Sequence, residues 1–211
     1  MVVATTGTRL KILALLHKGG ISVGQLAVQL SLASATIRRH LDILQRDRLV
    51  DYSQSKKSLG RPQYIYSLTE EGQETLPKHY PQLLIGLINE ISSLTTDEIK
   101  NLDGNGLSDL VFRKLASRAT GPNKSDDEEI RISYLLQILL DGDFLPEVER
   151  IGKTIRIHLN NCPFRAVALK QEIVCHVDRN IIENVLQVPI DQEHCIRKGD
   201  LNCSYVTSFR N

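Results

Sequence analysis

The sequence predicts an α+β protein built from three successive stretches, and three observations carry that reading. The first 67 residues alternate short helical patterns with two strand-like runs, and they hold ten Lys or Arg against three acids, a net of +7 that leaves −6 for the rest of a chain whose total is +1. A middle region follows with leucine and isoleucine at helical spacing. The last fifty residues contain all four cysteines of the chain, Cys162, Cys175, Cys195 and Cys203. The expected divisions are a basic head over 1–69, a helical dimerisation or linker region over 70–120, and a small antiparallel α+β domain over 121–211.

With 211 residues, 41% of them apolar and 24% charged, the chain has the composition of a globular protein able to bury a core. A basic half joined to an acidic half suggests a module that meets a polyanion attached to one that does something else. The N-terminal run lacks the apolar stretch of a signal peptide, and no segment reaches the roughly 18 apolar residues of a membrane span. The expected setting is therefore the cytoplasm, with no membrane partner. Thiols stay reduced there, and a cysteine cluster more often means metal or redox chemistry than a disulfide.

In the head, residues 8–17 carry Leu10, Leu13 and Leu16 at helical spacing, and the two glycines Gly19 and Gly20 stop that helix. Ser22 can cap a second helix with Leu26, Ala27 and Leu30 on one face, and Ser34 can cap a third. In the third, Ile37, Leu41 and Leu44 form a buried stripe, which turns Thr36, Arg38, Arg39 and Asp42 elsewhere. This is a helix-turn-helix arrangement whose third helix is placed to read a major groove. Ser34, Thr36, Arg38 and Arg39 supply the short polar and cationic side chains that base edges and phosphates require. Two strand-like runs follow, around 49–52 and 63–68, separated by a polar loop with Lys56, Lys57 and Arg61 and punctuated by Gly60 and Pro62. They complete a winged helix-turn-helix. Tyr64 and Tyr66, on alternating positions, are expected to pack on the core rather than stack on nucleic acid.

The segment RRHLDILQRDRLVDY...GRPQYIYSLTEEG resembles the winged-helix regulators of the ArsR and DeoR-like groups over residues 8–72. The resemblance implies binding to double-stranded DNA as a dimer, with Lys57 and Arg61 of the wing along the phosphates or in the minor groove.

The middle region begins with a helix over 70–76, is interrupted by Pro77 and Pro81, and continues with Leu83, Leu84, Leu87, Ile88 and Ile91 on a broad apolar face. So apolar a face suits packing against a second copy, which would set the spacing of two reading helices on a palindromic operator. Thr95 or Thr96 caps the next helix, and the run Asp103, Gly104, Asn105, Gly106 argues against its being unbroken. Residues 120–125 have the composition of a linker. Beyond it, the pattern predicts a helix over 126–140, a hairpin turning at Gly152, a short helix after Pro163, an amphipathic helix over 172–186 through Cys175, and two final strands around Lys198, Gly199 and Asp200.

The cysteine intervals, C-x12-C-x19-C-x7-C, match neither zinc ribbons nor the close runs of bacterial ferredoxins. Four soft thiolates suit tetrahedral zinc or an iron–sulfur cluster, and spacing alone does not choose. The segment NCPFRAVALKQEIVCHV...HCIRKGDLNCSYV resembles the C-terminal region of SufR-type regulators, iron–sulfur-responsive repressors of cluster-assembly operons, and those proteins share the joined winged helix. The resemblance implies that Cys162, Cys175 and Cys203 hold a cluster of 4Fe-4S type. Cys195 departs from the family's interval, so Cys195, His194, His176 and a molecule from solution all stand as candidates for the fourth ligand. The expected function is a transcriptional repressor controlled by that cluster. The alternatives are a constitutive binder braced by zinc or a sensor of a small molecule. No G-x-S-x-G motif or phosphate-cradling glycine loop speaks for an enzyme.

Overall fold

The computed structural model describes residues 7–17, 19–55, 63–118 and 127–209. The fold is α+β, in two compact units, Met1–Leu76 and Pro77–Asn211.

In the first unit α1 (Thr8–Leu16), α2 (Val23–Leu30) and α3 (Ser34–Arg46) enclose a core of Ile12, Leu13, Leu16, Leu26, Ile37, Leu41 and Leu44. The α2 start is fixed by a reciprocal cap: Ser22 Oγ accepts from the Gln25 N–H, and Gln25 Oε1 accepts from the Ser22 N–H. At α3 the expected serine cap is not made. Ala33 occupies the extended position before the helix without a side-chain bond, and Ser34 is already helical. The helix is held instead by its buried Ile37, Leu41 and Leu44 stripe, as tertiary packing supplies most helical stability in proteins.

After α3 the hairpin of β2 (Val50–Ser55) and β3 (Gln63–Leu68) is joined by the short β1 (Ile21–Ser22), giving an antiparallel sheet in the order β1-β3-β2. The chain leaves it through α4 (Glu70–Glu74), capped by the Thr69 hydroxyl. Gly72 lies against the Leu49 backbone, where an added Cβ would collide with the Leu49 carbonyl oxygen. Gly72→Ala is therefore expected to destabilise this unit by about 1–3 kcal/mol, the usual range for overpacking. Urea unfolding followed by circular dichroism checks it, and an unchanged midpoint would contradict it.

The second unit begins with α5 (Tyr80–Ser92), α6 (Thr96–Ile99) and α7 (Gly104–Ser117). The break expected near residue 103 is real: Thr95 caps α6 in a reciprocal pair with Glu98, and Asp103 caps α7 through the Gly106 N–H. Next come α8 (Glu128–Asp141), β4 (Pro146–Ile151), β5 (Thr154–Leu159), α9 (Arg165–Ala168), α10 (His176–Leu186), β6 (Asp191–His194) and β7 (Cys203–Ser208). The sheet is antiparallel in the order β4-β5-β7-β6, and the β4–β5 turn passes through Gly152 at φ 62°, a left-handed conformation that suits glycine.

Leu83 of α5 and Phe112 and Ala116 of α7 share one core with Leu135 and Leu139 of α8, Ile155 and Ile157 of β5, Ile182 of α10 and Tyr205 of β7. Of the helices expected between two domains, α4 thus stays with the first unit and α5, α6 and α7 are part of the C-terminal unit. Two further elements differ from expectation. The helix through Cys175 is a 3-10 turn, Glu172–Cys175, followed by α10. The strand expected to run through Cys195 ends at His194 and gives way to a 3-10 turn, Ile196–Lys198, because the Asp200 carboxylate takes the Cys195 N–H at 2.7 Å and turns the chain out of the ladder. Among the described residues no helix is long and apolar enough to cross a membrane.

Candidate cysteine site and nucleic-acid interface

Four segments that are distant in sequence each deliver one cysteine to the same cavity. Cys162 lies three residues beyond the end of β5, Cys175 closes the 3-10 turn before α10, Cys195 precedes the second 3-10 turn, and Cys203 opens β7. The β5–β7 register pairs Leu159 with Cys203, which brings the ends carrying Cys162 and Cys203 together. All four thiols are free and all four line one cavity, with Phe144, Phe164, Arg165, Asp178 and Arg197 among its other walls. Its open interior is only about 10 Å³, near the least that holds one water. Among the described residues no three His, Cys, Asp or Glu side chains converge as a single-ion site needs.

Burial pushes the Cys162 and Cys175 thiols up to about 12 and raises Cys203 as well, with the buried Asp178 carboxylate as the second cause in each. Backbone N–H groups oppose the shift at two of them: Phe164 at Cys162 and Ile196 at Cys203, the latter 3.5 Å from Sγ. Asp178 is itself raised to about 6 by burial, although Tyr205 donates its hydroxyl to Oδ2 at 3.0 Å. Cys162, Cys175 and Cys203 are therefore held as neutral thiols, and any metal must displace their protons. Against a free thiol near 8.5, the thiolate fraction of Cys162 and Cys175 at pH 8 falls on the order of a thousandfold. Iodoacetamide at pH 8 is expected to label them at least about a hundredfold more slowly than it labels the urea-unfolded chain. The rate should climb as pH rises further, and equal rates in the two states would contradict this picture.

In chemical terms the donor set fits an iron–sulfur cluster: four soft sulfurs from four segments ring one space. Neither His176 nor His194 is among the described residues lining the cavity. His176 is paired with Asp109 at 3.2 Å and His194 with Asp200 at 3.6 Å. Cys195 and Asp178 line it instead. Sequence reasoning missed Asp178, although a signal existed. It falls on the buried stripe of α10 with Val177, Ile181, Ile182 and Val185, where a carboxylate is out of place.

On the first unit, Thr36, Arg38 and Arg39 are exposed on α3 and Ser34 is half-buried at its first turn. Lys57 and Arg61, expected to complete the surface from the wing, lie outside the described residues. Of the tyrosines, Tyr66 packs against the core as expected, whereas Tyr64 is 45% exposed and meets Tyr52 edge to face at 4.8 Å. Burial raises the pKa of the Tyr66 hydroxyl, the Asp42 carboxylate of α3 raises it further and Arg38 opposes the shift.

Residues 4–52 match the family described as a helix-turn-helix domain. No curated protein matches the chain. Among solved structures it is similar to reduced HlyU from Vibrio cholerae, at 30% identity over 33% of this chain and 70% of that one, with a TM-score of 0.29. It is also similar to a mutant of Lactococcus lactis ZitR in apo form, at 24% identity over 44% and 71% with a TM-score of 0.29. A third is Bacillus subtilis PadR in complex with operator DNA, at 14% identity over 85% and 97% with a TM-score of 0.30. The family match lies within the first unit. On that match, and on the three helices and hairpin described above, the N-terminal unit is a helix-turn-helix domain of the kind found in DNA-binding regulators.

Proposed function

We propose that the chain is a transcription regulator, in the sense of a repressor of iron–sulfur cluster assembly genes, whose hold on a palindromic operator is set by a cluster of 4Fe-4S type. Cys162, Cys175, Cys195 and Cys203 are its ligands in this reading. The observation that carries it is that every cysteine of the chain, drawn from four separate segments, lines one cavity in a protein that begins with a helix-turn-helix. A bound cluster supplies a soft, oxidisable centre that dismantles under oxidants.

The rest belongs to the chain's own residues. Arg38, Arg39, Thr36 and Ser34 present the reading surface, joined in this reading by Lys57 and Arg61. Ligation through all four cysteines would tie their four segments to one centre, and a cluster held better in one packing of the unit than in another would shift the population between them. A second copy of the chain is the expected occupant of the apolar face left exposed on α5, where Leu84, Ile85, Ile88 and Ile91 are each more than half exposed. A twofold operator requires such a pairing, and sedimentation equilibrium reads it directly.

Anaerobic reconstitution with ferrous iron and sulfide tests the ligand assignment. Broad visible absorption with stoichiometric iron and sulfide supports it, with faster iron loss from Cys195→Ser if that residue is the fourth donor. A colourless protein that takes up one zinc per chain favours the alternative of a structural brace.

A further inference from the structure

The chain that leaves the helix-turn-helix unit is tied, within the first residues of the second unit, to the run that carries Cys162. Asn161 is 2% exposed, and its Nδ2 donates to the Pro77 carbonyl oxygen at 3.0 Å and to the Asp143 carbonyl oxygen at 2.7 Å. Its Oδ1 accepts from Lys78 Nζ at 3.2 Å. On the other side of Cys162, the Pro163 carbonyl oxygen accepts the His79 N–H at 3.0 Å, and the Tyr80 hydroxyl accepts the Ala166 N–H at 3.0 Å. The His79 ring closes the arrangement on Asp143, Nε2 to Oδ2 at 2.6 Å. All of these bonds lie inside Pro77–Asn211.

Both peptide neighbours of Cys162 therefore hold the connector. Successive Cα atoms are fixed about 3.8 Å apart, so Cys162 cannot be displaced far without shifting Asn161 or Pro163. Both Asn161 donors are committed to backbone carbonyls, one on the connector and one on the turn after α8, which leaves the side chain little freedom to stay behind. Coupling between distant sites needs such a continuous physical link with more than one arrangement.

We propose that Asn161 is the positioning residue that passes the state of the cysteine site to the helix-turn-helix unit, by carrying displacements of Cys162 to Pro77 and Lys78. This rests on the reading of Cys162 as a cluster ligand.

The test uses the full chain, prepared without oxygen, loaded with ferrous iron and sulfide or stripped with a chelator, and titrated against a DNA duplex selected by the loaded wild type from a randomised pool. The quantity read is the ratio of the two dissociation constants, alongside iron and sulfide per chain. Asn161→Ala is expected to keep its iron, sulfide and spectrum and to bring the ratio to within about twofold of one, where coupled sites typically show roughly 5–150-fold. If that variant fails to fold, Lys78→Ala combined with Tyr80→Phe loosens the same connector from the surface and should lower the ratio at least threefold. A purely structural role would lower the melting temperature and leave the ratio intact. Variants with the wild-type ratio overturn the proposal, and so does a variant that no longer retains iron, because Asn161 would then serve the cysteine site itself. A wild type whose ratio is one sinks the underlying reading, and this inference falls with it.

Discussion

Cys175→Ser is expected to abolish uptake of iron and sulfide and to leave DNA binding indifferent to both. A serine hydroxyl fills nearly the same space but cannot supply the soft thiolate that iron–sulfur ligation requires. The loss should therefore appear in the cofactor and not in the fold. Cys175 is half-buried, and the variant should stay within about 1 kcal/mol of wild-type stability. What disappears is the difference between loaded and stripped protein on DNA, of the order of 5–150-fold for a coupled pair of sites. Iron and sulfide analysis with parallel titrations of the selected duplex checks it. A serine variant that still responds to iron and sulfide would remove Cys175 from the ligand set.

The second large effect belongs to the reading helix. Arg38→Ala and Arg39→Ala should each weaken DNA binding by about 1–3 kcal/mol. An arginine that contacts phosphate also steepens the salt dependence, so its removal should flatten the slope of log affinity against log salt by about 0.9. One that reads a base should instead relax sequence preference with a smaller change of slope. Titrations at several salt concentrations on selected and scrambled duplexes separate the two. Unchanged affinity and slope for both variants would move the interface off α3. Removal of either side chain should leave stability nearly untouched, since both are exposed and lie off the buried Ile37, Leu41 and Leu44 stripe.

What the sequence revealed follows from the range of the forces involved. The α3 stripe, the Gly152 hairpin and the break near Asp103 were legible because periodicity and glycine-rich turns are local signals. So was the gathering of the cysteines, since segments that alternate strand and helix tend to bring their ends to a common edge. Ser34 was misjudged because the turn places Ala33, one residue earlier, at the extended position. The region 70–120 read as separate because its leucines look alike whichever core they enter, and only packing shows Leu83, Phe112 and Ala116 joined to Leu135 and Ile182. Asn161 was invisible in the same way. The three partners of its side chain, Pro77, Lys78 and Asp143, lie 18 to 84 residues away, and no local pattern marks an asparagine as a clamp. The strand through Cys195 was lost to a side-chain bond that strand periodicity does not register, the Asp200 carboxylate taking the Cys195 N–H five residues back.

The link between a thiolate-held cluster and the grip on DNA is tested most directly by a single pair of titrations. Wild-type protein loaded with iron and sulfide, and the same preparation stripped of both, are measured against one selected duplex under strict anaerobiosis. The account predicts at least about fivefold tighter binding by the loaded form, the lower end of ordinary coupling between sites. Two superimposable binding curves from samples whose iron contents differ by a full cluster would contradict it.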